Sequence, residues 1–183
     1  ISTVSAYDAT SGHLKALADA TLLTALRTGA ASAVASDVLA RPDASTVGLI
    51  GAGAQAVTQL HALTRIRPVE RVLFYDSDPA ASASFADRVA SFASGLSLHA
   101  MSADEIVEAS DIVCTATSVG VGDGPVFGDV EPQPWCHINA VGSDFPGKVE
   151  IPLSLLERSI VCPDFLLQAV AEGECQQLDP DSI

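Results

Sequence analysis

The 183-residue chain is long enough to bury the core of one domain. Its 23 acidic residues against 9 Lys and Arg give a net charge of −14, which argues against nucleic acid and anionic membrane as partners, since both need a basic surface. With no signal-peptide pattern and no apolar run of membrane-spanning length, a cytoplasmic protein is the expectation.

Residues 1–7 read as a short strand and 8–12 as a turn. Over 21–39, Leu22, Leu23, Leu26, Ala30, Ala33, Val34 and Val38 recur at helical spacing, and Arg41-Pro42-Asp43 ends the helix. A β-rich apolar run over 46–50 is the next strand, followed by a helix over 55–65 and a strand over 71–75. Asp78 followed by Pro79 opens a helix over 80–92, a cap with proline at the first helical position. A strand covers 96–100. Ser102 stands three residues before Glu105, the capping-box spacing for a short helix over 103–108. Residues 111–116 form a strand, and the Gly- and Pro-rich stretch 118–134 is a loop. A strand over 137–141, a turn over 143–147, a helix over 153–158, a further strand over 160–162 and a helix over 165–172 complete the chain. This alternation predicts an α/β fold, an open doubly wound parallel sheet covered on both faces.

The junction of the 46–50 strand with the following helix carries Gly51-Ala52-Gly53-Ala54-Gln55-Ala56, a G-x-G-x-x-A turn. Gly51 lets the chain turn off the strand, Gly53 lets the backbone approach a pyrophosphate, and Ala56 keeps the helix close to the sheet. The helix N-terminus offers free N–H groups and a partial positive charge. Asp76 ends the next strand, roughly 25 residues on, where an acid accepts hydrogen bonds from ribose hydroxyls. That arrangement is the layout of a Rossmann dinucleotide-binding unit, the alternative being a glycine turn in a sheet that binds nothing. Asp76 would repel a 2′-phosphate, and Ser77-Asp78-Pro79 supply no arginine, so NAD is expected over NADP.

Thr115 and Thr117 end the fourth strand of this unit, where a hydroxyl either bonds the cofactor or caps the following turn. The run from His137 to Glu150 ends the fifth strand in a turn holding Asp144 and Lys148, four residues apart. Turn chemistry explains Gly142, Pro146 and Gly147, but not an acid and a lysine beside the crevice. Asp144 is a candidate acid/base; Lys148 holds a phosphate, a carboxylate or Asp144 itself; the alternative is a solvated ion pair. Arg27, inside the first helix, either binds an anionic group or extends to solvent. The four cysteines form no C-x-x-C pair and the four histidines show no ligand spacing, so reduced thiols and no metal are expected.

Four segments taken together resemble the ornithine cyclodeaminase/μ-crystallin family, in matching order and spacing over nearly the whole chain. They are L-T-A-L-R-T-G-A-A-S-A beginning at Leu23, G-A-G-A-Q-A at Gly51, D-I-V-C-T-A-T at Asp111, and H-I-N-A-V-G-S-D-F-P-G-K-V-E at His137. The resemblance implies a Rossmann domain inserted in a second α/β domain that carries much of the substrate pocket and the dimer interface. Residues 1–20 would be a flanking segment that belongs to that second domain, and 21–183 would be the NAD-binding domain, within a homodimeric protein nearly twice as long. It implies Asp144 as the catalytic acid/base and cofactor contacts from Arg27, Gly51, Gly53, Ala54, Gln55, Asp76, Thr117, Asn139, Ala140, Val141, Gly142 and Lys148. The substrate-carboxylate ligands would lie outside this chain. The implied activity is NAD-dependent cyclodeamination of L-ornithine or L-lysine. Hydride passes from Cα to NAD, the side-chain amine attacks the resulting imine, ammonia leaves, and the hydride returns to give a cyclic imino acid such as proline. The family also leaves room for an amino-acid dehydrogenase or ketimine reductase with net redox, and for a non-catalytic crystallin-like binder.

Overall fold

The structure, a computed structural model, describes residues 2–179 and 183. Ile1 of the expected first strand, and 180–182 of the expected Rossmann unit, lie outside the described residues. Strands β1 (Thr3–Tyr7) and β2 (Leu14–Asp19) form an antiparallel hairpin that pairs with no other described strand. Asp8 organises its turn. Its Oδ1 accepts from the Thr10 and Ser11 N–H groups at 3.0 and 2.8 Å, and Lys15 pairs with it at 2.6 Å. Lys15, then the Ser11 and Thr10 donors, hold the Asp8 carboxyl down at about 2. Sequence reasoning did not identify β2. Leu14-Lys15-Ala16-Leu17-Ala18-Asp19 is poor in β-formers, and every residue of it is exposed, so no alternation marks a face.

Helix α1 (Thr21–Leu39) has the expected bounds. Its buried residues are small: Thr28, Gly29, Ser32, Ala33 and Ser36 pack inward. Leu22, Leu23, Leu26, Val34 and Val38 face outward. Of the residues that recur at helical spacing, Ala33 faces the core and the leucines and valines lie on the external face.

The main sheet comprises β3 (Thr46–Ile50), β4 (Arg71–Tyr75), β5 (Ser97–Ala100), β6 (Ile112–Thr115) and β7 (His137–Ala140). All pairings are parallel, in the order β5-β4-β3-β6-β7. The chain steps from β3 outward to β4 and β5, then crosses back through the following helix to β6 on the other side of β3, so that strand order reverses at β3, a topological switch point with its crevice at the carboxyl ends. The register sets Ile50 opposite both Tyr75 and Thr115, and Thr115 opposite Ala140, so these ends form one level edge.

Alternation along the strands divides the core. Val47, Leu49, Val72, Phe74, Ile112 and Cys114 face α2 (Ala54–Leu63) and α3 (Pro79–Ala93), through Leu60, Leu63, Phe85 and Val89. Ile50, Leu73 and Val113 face the other layer, where Ile106 and Val107 of α4 (Ala103–Ala109) and Leu155 and Leu156 of α5 (Leu153–Glu157) pack. Both expected caps form: Asp78 accepts from the Ala80 N–H, and Ser102 and Glu105 close the capping box. No strand forms over 160–162. Ile160 is fully exposed and this stretch joins no ladder, because β-branched composition cannot by itself supply a neighbouring strand. After it come α6 (Leu166–Glu172) and a 3₁₀ turn over Glu174–Gln177. No helix among the described residues is long and apolar enough to cross a membrane.

Candidate functional site

The turn from β3 into α2 sits at the switch point. Gly51 adopts φ +91°, and a Cβ there would meet the Ala116 carbonyl oxygen at 2.6 Å, so only glycine fits. Around Gly53 the reverse holds: a Cβ would find no protein atom within 4 Å. Gly53 is also the N-cap of α2, and no side chain caps that helix. An uncapped ten-residue helix therefore points its free N–H groups into open space, the setting that takes a pyrophosphate. Ala54, exposed, and Gln55, half-buried, form its first turn.

The Asp76 carboxylate is fixed beside this turn. Its Oδ2 accepts from the Ala52 N–H at 2.7 Å and its Oδ1 from the Asp78 N–H at 2.8 Å, with lone pairs left over for ribose hydroxyls. Arg88 of α3 holds the other end of the same residue by donating to the Ala52 carbonyl, and it also donates to Ala81 O at 2.9 Å. The sequence does not single out Arg88, because it lies well inside α3, nine residues past Pro79. The Gln55 side-chain oxygen, by contrast, receives a long contact from the Thr58 hydroxyl, at 3.5 Å.

Across the sheet, the ends of β6 and β7 meet on a buried carboxylate. Glu150 is 0% exposed. Its Oε1 accepts from the Thr117 N–H and Oγ1 at 2.8 and 2.6 Å, and its Oε2 from Thr115 Oγ1 and the Gly142 N–H at 2.6 and 2.7 Å. A Cβ on Gly142 would run into the Glu150 carboxylate and fall 2.7 Å from the Thr117 carbonyl oxygen, which makes glycine obligatory there. Glu174, in the 3₁₀ turn, accepts from the Glu150 N–H at 2.7 Å, the Ile151 N–H at 3.3 Å and Gln177 Nε2 at 2.9 Å. Burial, reinforced by the Glu150 carboxylate, pushes the Glu174 carboxyl up to about 7. Glu150 was not singled out from the sequence, although an acid between Val149 and Ile151-Pro152 is a recognisable sign of a buried charge.

The turn that Glu150 closes carries Asp144 and Lys148. Lys148 Nζ donates to Asp144 Oδ1 at 2.8 Å; the lysine side chain is 21% exposed and the aspartate 71%. Ser143 Oγ donates to Lys148 O at 2.6 Å. Gln176 grips the turn twice, accepting from the Gly147 N–H at 2.6 Å and donating to Lys148 O at 2.9 Å. An exposed carboxylate thus stands on a braced turn immediately after a strand that ends at the crevice edge.

The remaining expected residues are placed less uniformly. Ala140 and Val141 continue β7 at the crevice edge, with the Val141 N–H donating to Thr115 O at 2.9 Å. Asn139 points away from the edge: its Nδ2 donates to Ser36 Oγ of α1 at 2.9 Å and its Oδ1 faces His137 Nε2 at 3.2 Å. Burial, and then the nearby Arg67 guanidinium, hold His137 below the usual imidazole value. The Thr117 hydroxyl is engaged by Glu150. Arg27 is exposed on α1. Two contacts fix its level: Gly29 lies against the Thr58 carbonyl, and Arg67, after α2, reaches Ser36 O and Ala40 O near the end of α1. The two helices therefore run in the same direction, which puts Arg27 near the N-terminal turn of α2.

All four cysteines are free, and burial pushes Cys114 and Cys136 up to about 12, which removes them as thiolate nucleophiles. Among the described residues no three His, Cys, Asp or Glu side chains group as metal ligands.

The sequence profile of the ornithine cyclodeaminase/mu-crystallin family matches residues 1–183. The L-lysine cyclodeaminase of Streptomyces rapamycinicus is 49% identical over 181 residues, covering 99% of this chain and 52% of that protein. A solved lysine cyclodeaminase, described for its recognition of L-lysine, L-ornithine and L-2,4-diaminobutyric acid, superposes with a TM-score of 0.96 at 56% identity. The match covers 99% of this chain and 52% of that one. An archaeal alanine dehydrogenase, a dimer with bound NAD, gives a TM-score of 0.82 at 35% identity, over 93% of this chain and 51% of that one. The chain thus spans about half the length of the relatives it matches.

Proposed function

The chain belongs to the ornithine cyclodeaminase/mu-crystallin family, and from that premise we propose that it is the dinucleotide-binding part of an NAD-dependent amino-acid cyclodeaminase. Its substrate class is an L-diamino acid, L-lysine or L-ornithine, closed to a cyclic imino acid with loss of ammonia. One observation carries the reading: a braced Asp144–Lys148 pair after β7, at the same carboxyl edge of the sheet from which the uncapped α2 starts after β3, in a chain 49% identical to a lysine cyclodeaminase.

The chemistry NAD supplies when bound is the acceptance and return of one hydride at the substrate Cα. Everything else falls to the chain. Gly51, Gly53, Ala54 and Gln55 present the α2 N-terminus to the pyrophosphate, and Asp76 takes the adenosine ribose. Arg27, Thr117, Asn139, Ala140, Val141, Gly142 and Lys148 complete the cofactor surround. For Thr117 the contact falls to the backbone carbonyl, since Glu150 engages both its N–H and its hydroxyl, and for Asn139 it comes from backbone, since Ser36 engages its side-chain amide. Asp144 moves protons. The substrate α-nitrogen must lose a proton as the imine forms, and the departing ammonia must gain one; a single carboxylate serves both in turn. Lys148 orients that carboxylate through the 2.8 Å contact.

Residues 1–20 belong, on this reading, to a second domain that supplies the substrate-carboxylate ligands. The self-contained β1–β2 hairpin, with Val4, Tyr7, Leu14 and Leu17 exposed, supports that assignment. The outward leucines of α1 fit contact with the second domain or with a second protomer of a homodimer, and a cytoplasmic location goes with the metabolic role. The alanine dehydrogenase neighbour favours one second reading, an amino-acid dehydrogenase with net redox. Incubating the full-length protein with NAD and a panel of amino acids tests both. Cyclic product with ammonia and no NADH supports cyclodeamination; NADH rising with product supports the dehydrogenase; no turnover leaves a binding protein.

A further inference from the structure

Glu150 is the most heavily engaged acid of the crevice, and the proposed proton transfers do not use it. Its carboxylate is 0% exposed and accepts four hydrogen bonds, all from neutral donors on Thr115, Thr117 and Gly142. Those donors come from the end of β6, the start of the loop after it, and the residue just past Val141 beyond β7. Carrying a carboxylate into a site without a cation is costly, and the four bonds are what make it tenable. A threonine–backbone network alone could join two adjacent strands, which already pair through their ladder. The extra connection made by Glu150 is to its own turn. Gly142 and Glu150 are the two ends of the segment that carries Asp144 and Lys148, and the Gly142 N–H to Glu150 Oε2 bond closes that segment as a loop. Glu174 in turn holds the Glu150 backbone, and Gln176 the tip of the turn, so the loop is fixed at its base and at its rim.

We infer that Glu150 is a positioning residue: by bonding the Gly142 N–H while anchored on Thr115 and Thr117, it sets the height of the Asp144–Lys148 turn above the cofactor crevice. This rests on the cyclodeaminase reading for the role of Asp144, but the mechanical part stands without it. An acceptor-only group is needed, because all four partners donate. Glutamine in its place turns an NH₂ toward two of those donors.

The test uses the full-length protein with Glu150→Gln and Thr115→Val, the second removing one hydroxyl at nearly constant volume. The readouts are the circular dichroism spectrum, amide exchange without cofactor, NAD affinity by calorimetry, and steady-state kinetics on L-lysine. In Glu150→Gln, exchange of the Gly142 N–H should quicken about tenfold, while the β4 amides of Leu73 and Phe74 keep their parental rates. Its kcat should fall by about 10–100-fold with the amino-acid KM within about threefold, the signature of a misplaced reacting group. Thr115→Val should move the same readouts in the same direction by less. A folded Glu150→Gln protein with parental kcat and parental exchange at Gly142 overturns the inference. If Glu150→Gln does not fold, parental exchange and kcat in Thr115→Val overturn it. A parent protein that turns over no diamino acid removes the cyclodeaminase reading instead, and Gly142 exchange still decides whether Glu150 holds the turn.

Discussion

Asp144 and Lys148 face each other at 2.8 Å on one braced turn, with the lysine sheltered and the aspartate open to solvent. A surface pair with free ends would contribute little to stability. Here Ser143, Gln176 and Glu150 restrain the turn, so the pair fixes where a carboxylate stands at the crevice.

Replacement of Asp144 by Asn in the full-length protein should lower kcat by about 10²–10⁴-fold while leaving the NAD dissociation constant nearly unchanged. Lys148→Ala should weaken NAD binding more than it lowers kcat. Steady-state kinetics and calorimetry on both variants check this. Near-normal kcat in Asp144→Asn would make Asp144 a turn residue.

Cofactor choice rests on Asp76. Its carboxylate is pinned by the Ala52 and Asp78 N–H groups, so it cannot swing away from a 2′-phosphate. Asp76→Ser should move the NADP-to-NAD affinity ratio toward NADP by about tenfold or more, since Arg88 already reaches the same loop. Titration calorimetry with both dinucleotides measures it. A parent protein that prefers NADP would refute the assignment.

Much of this geometry was legible in the sequence, and the exceptions share a cause. The G-x-G-x-x-A turn, Asp76, the capping box at Ser102 and the Asp78-Pro79 helix start are local signals, and each forms where expected. Failures came where a partner distant in sequence decides. The outward leucines of α1 obey helical periodicity as well as inward ones would, and nothing local states which face is covered. Strand β2 lacks β-formers and is made by pairing with β1. The 160–162 stretch has the composition and no pairing. Glu150 draws its four donors from residues 8 to 35 positions away, which spacing patterns do not register.

Glu174 gives the protein a distinctive pH response. Its folded value of about 7 lies above its ordinary 4.5, so the native state binds more protons than the unfolded chain between those limits. Stability should therefore fall as pH rises from about 4.5 to about 7 and level off above, by about 3 kcal/mol at the outside. The carboxyls held low, Asp8, Asp43, Glu105, Asp111 and Asp129, act in the opposite sense and at more acidic pH. Urea unfolding across this range should show the slope in the parent and lose it in Glu174→Gln. An equal slope in both would contradict the assignment.

Arg67 is a buried cap for α1, donating to the carbonyls of Ser36, Asp37, Ala40 and Arg41 and pairing with Asp37 at 2.8 Å. Arg67→Met keeps the apolar stem but strands those carbonyls. Denaturant unfolding should show a loss of about 2–4 kcal/mol. A change under about 0.5 kcal/mol would mean that water replaces the guanidinium without cost.

Whether one hydride leaves and returns to the same carbon is the core of the proposal. The full-length protein given L-lysine deuterated at Cα, with NAD well below the substrate concentration, answers it by mass spectrometry of the product. Cyclodeamination predicts a six-membered cyclic imino acid that retains deuterium at C2, one ammonia per product, many turnovers per NAD and no accumulating NADH. Product lacking the deuterium, or deuterated NADH building up in step with an open-chain keto acid, would contradict it.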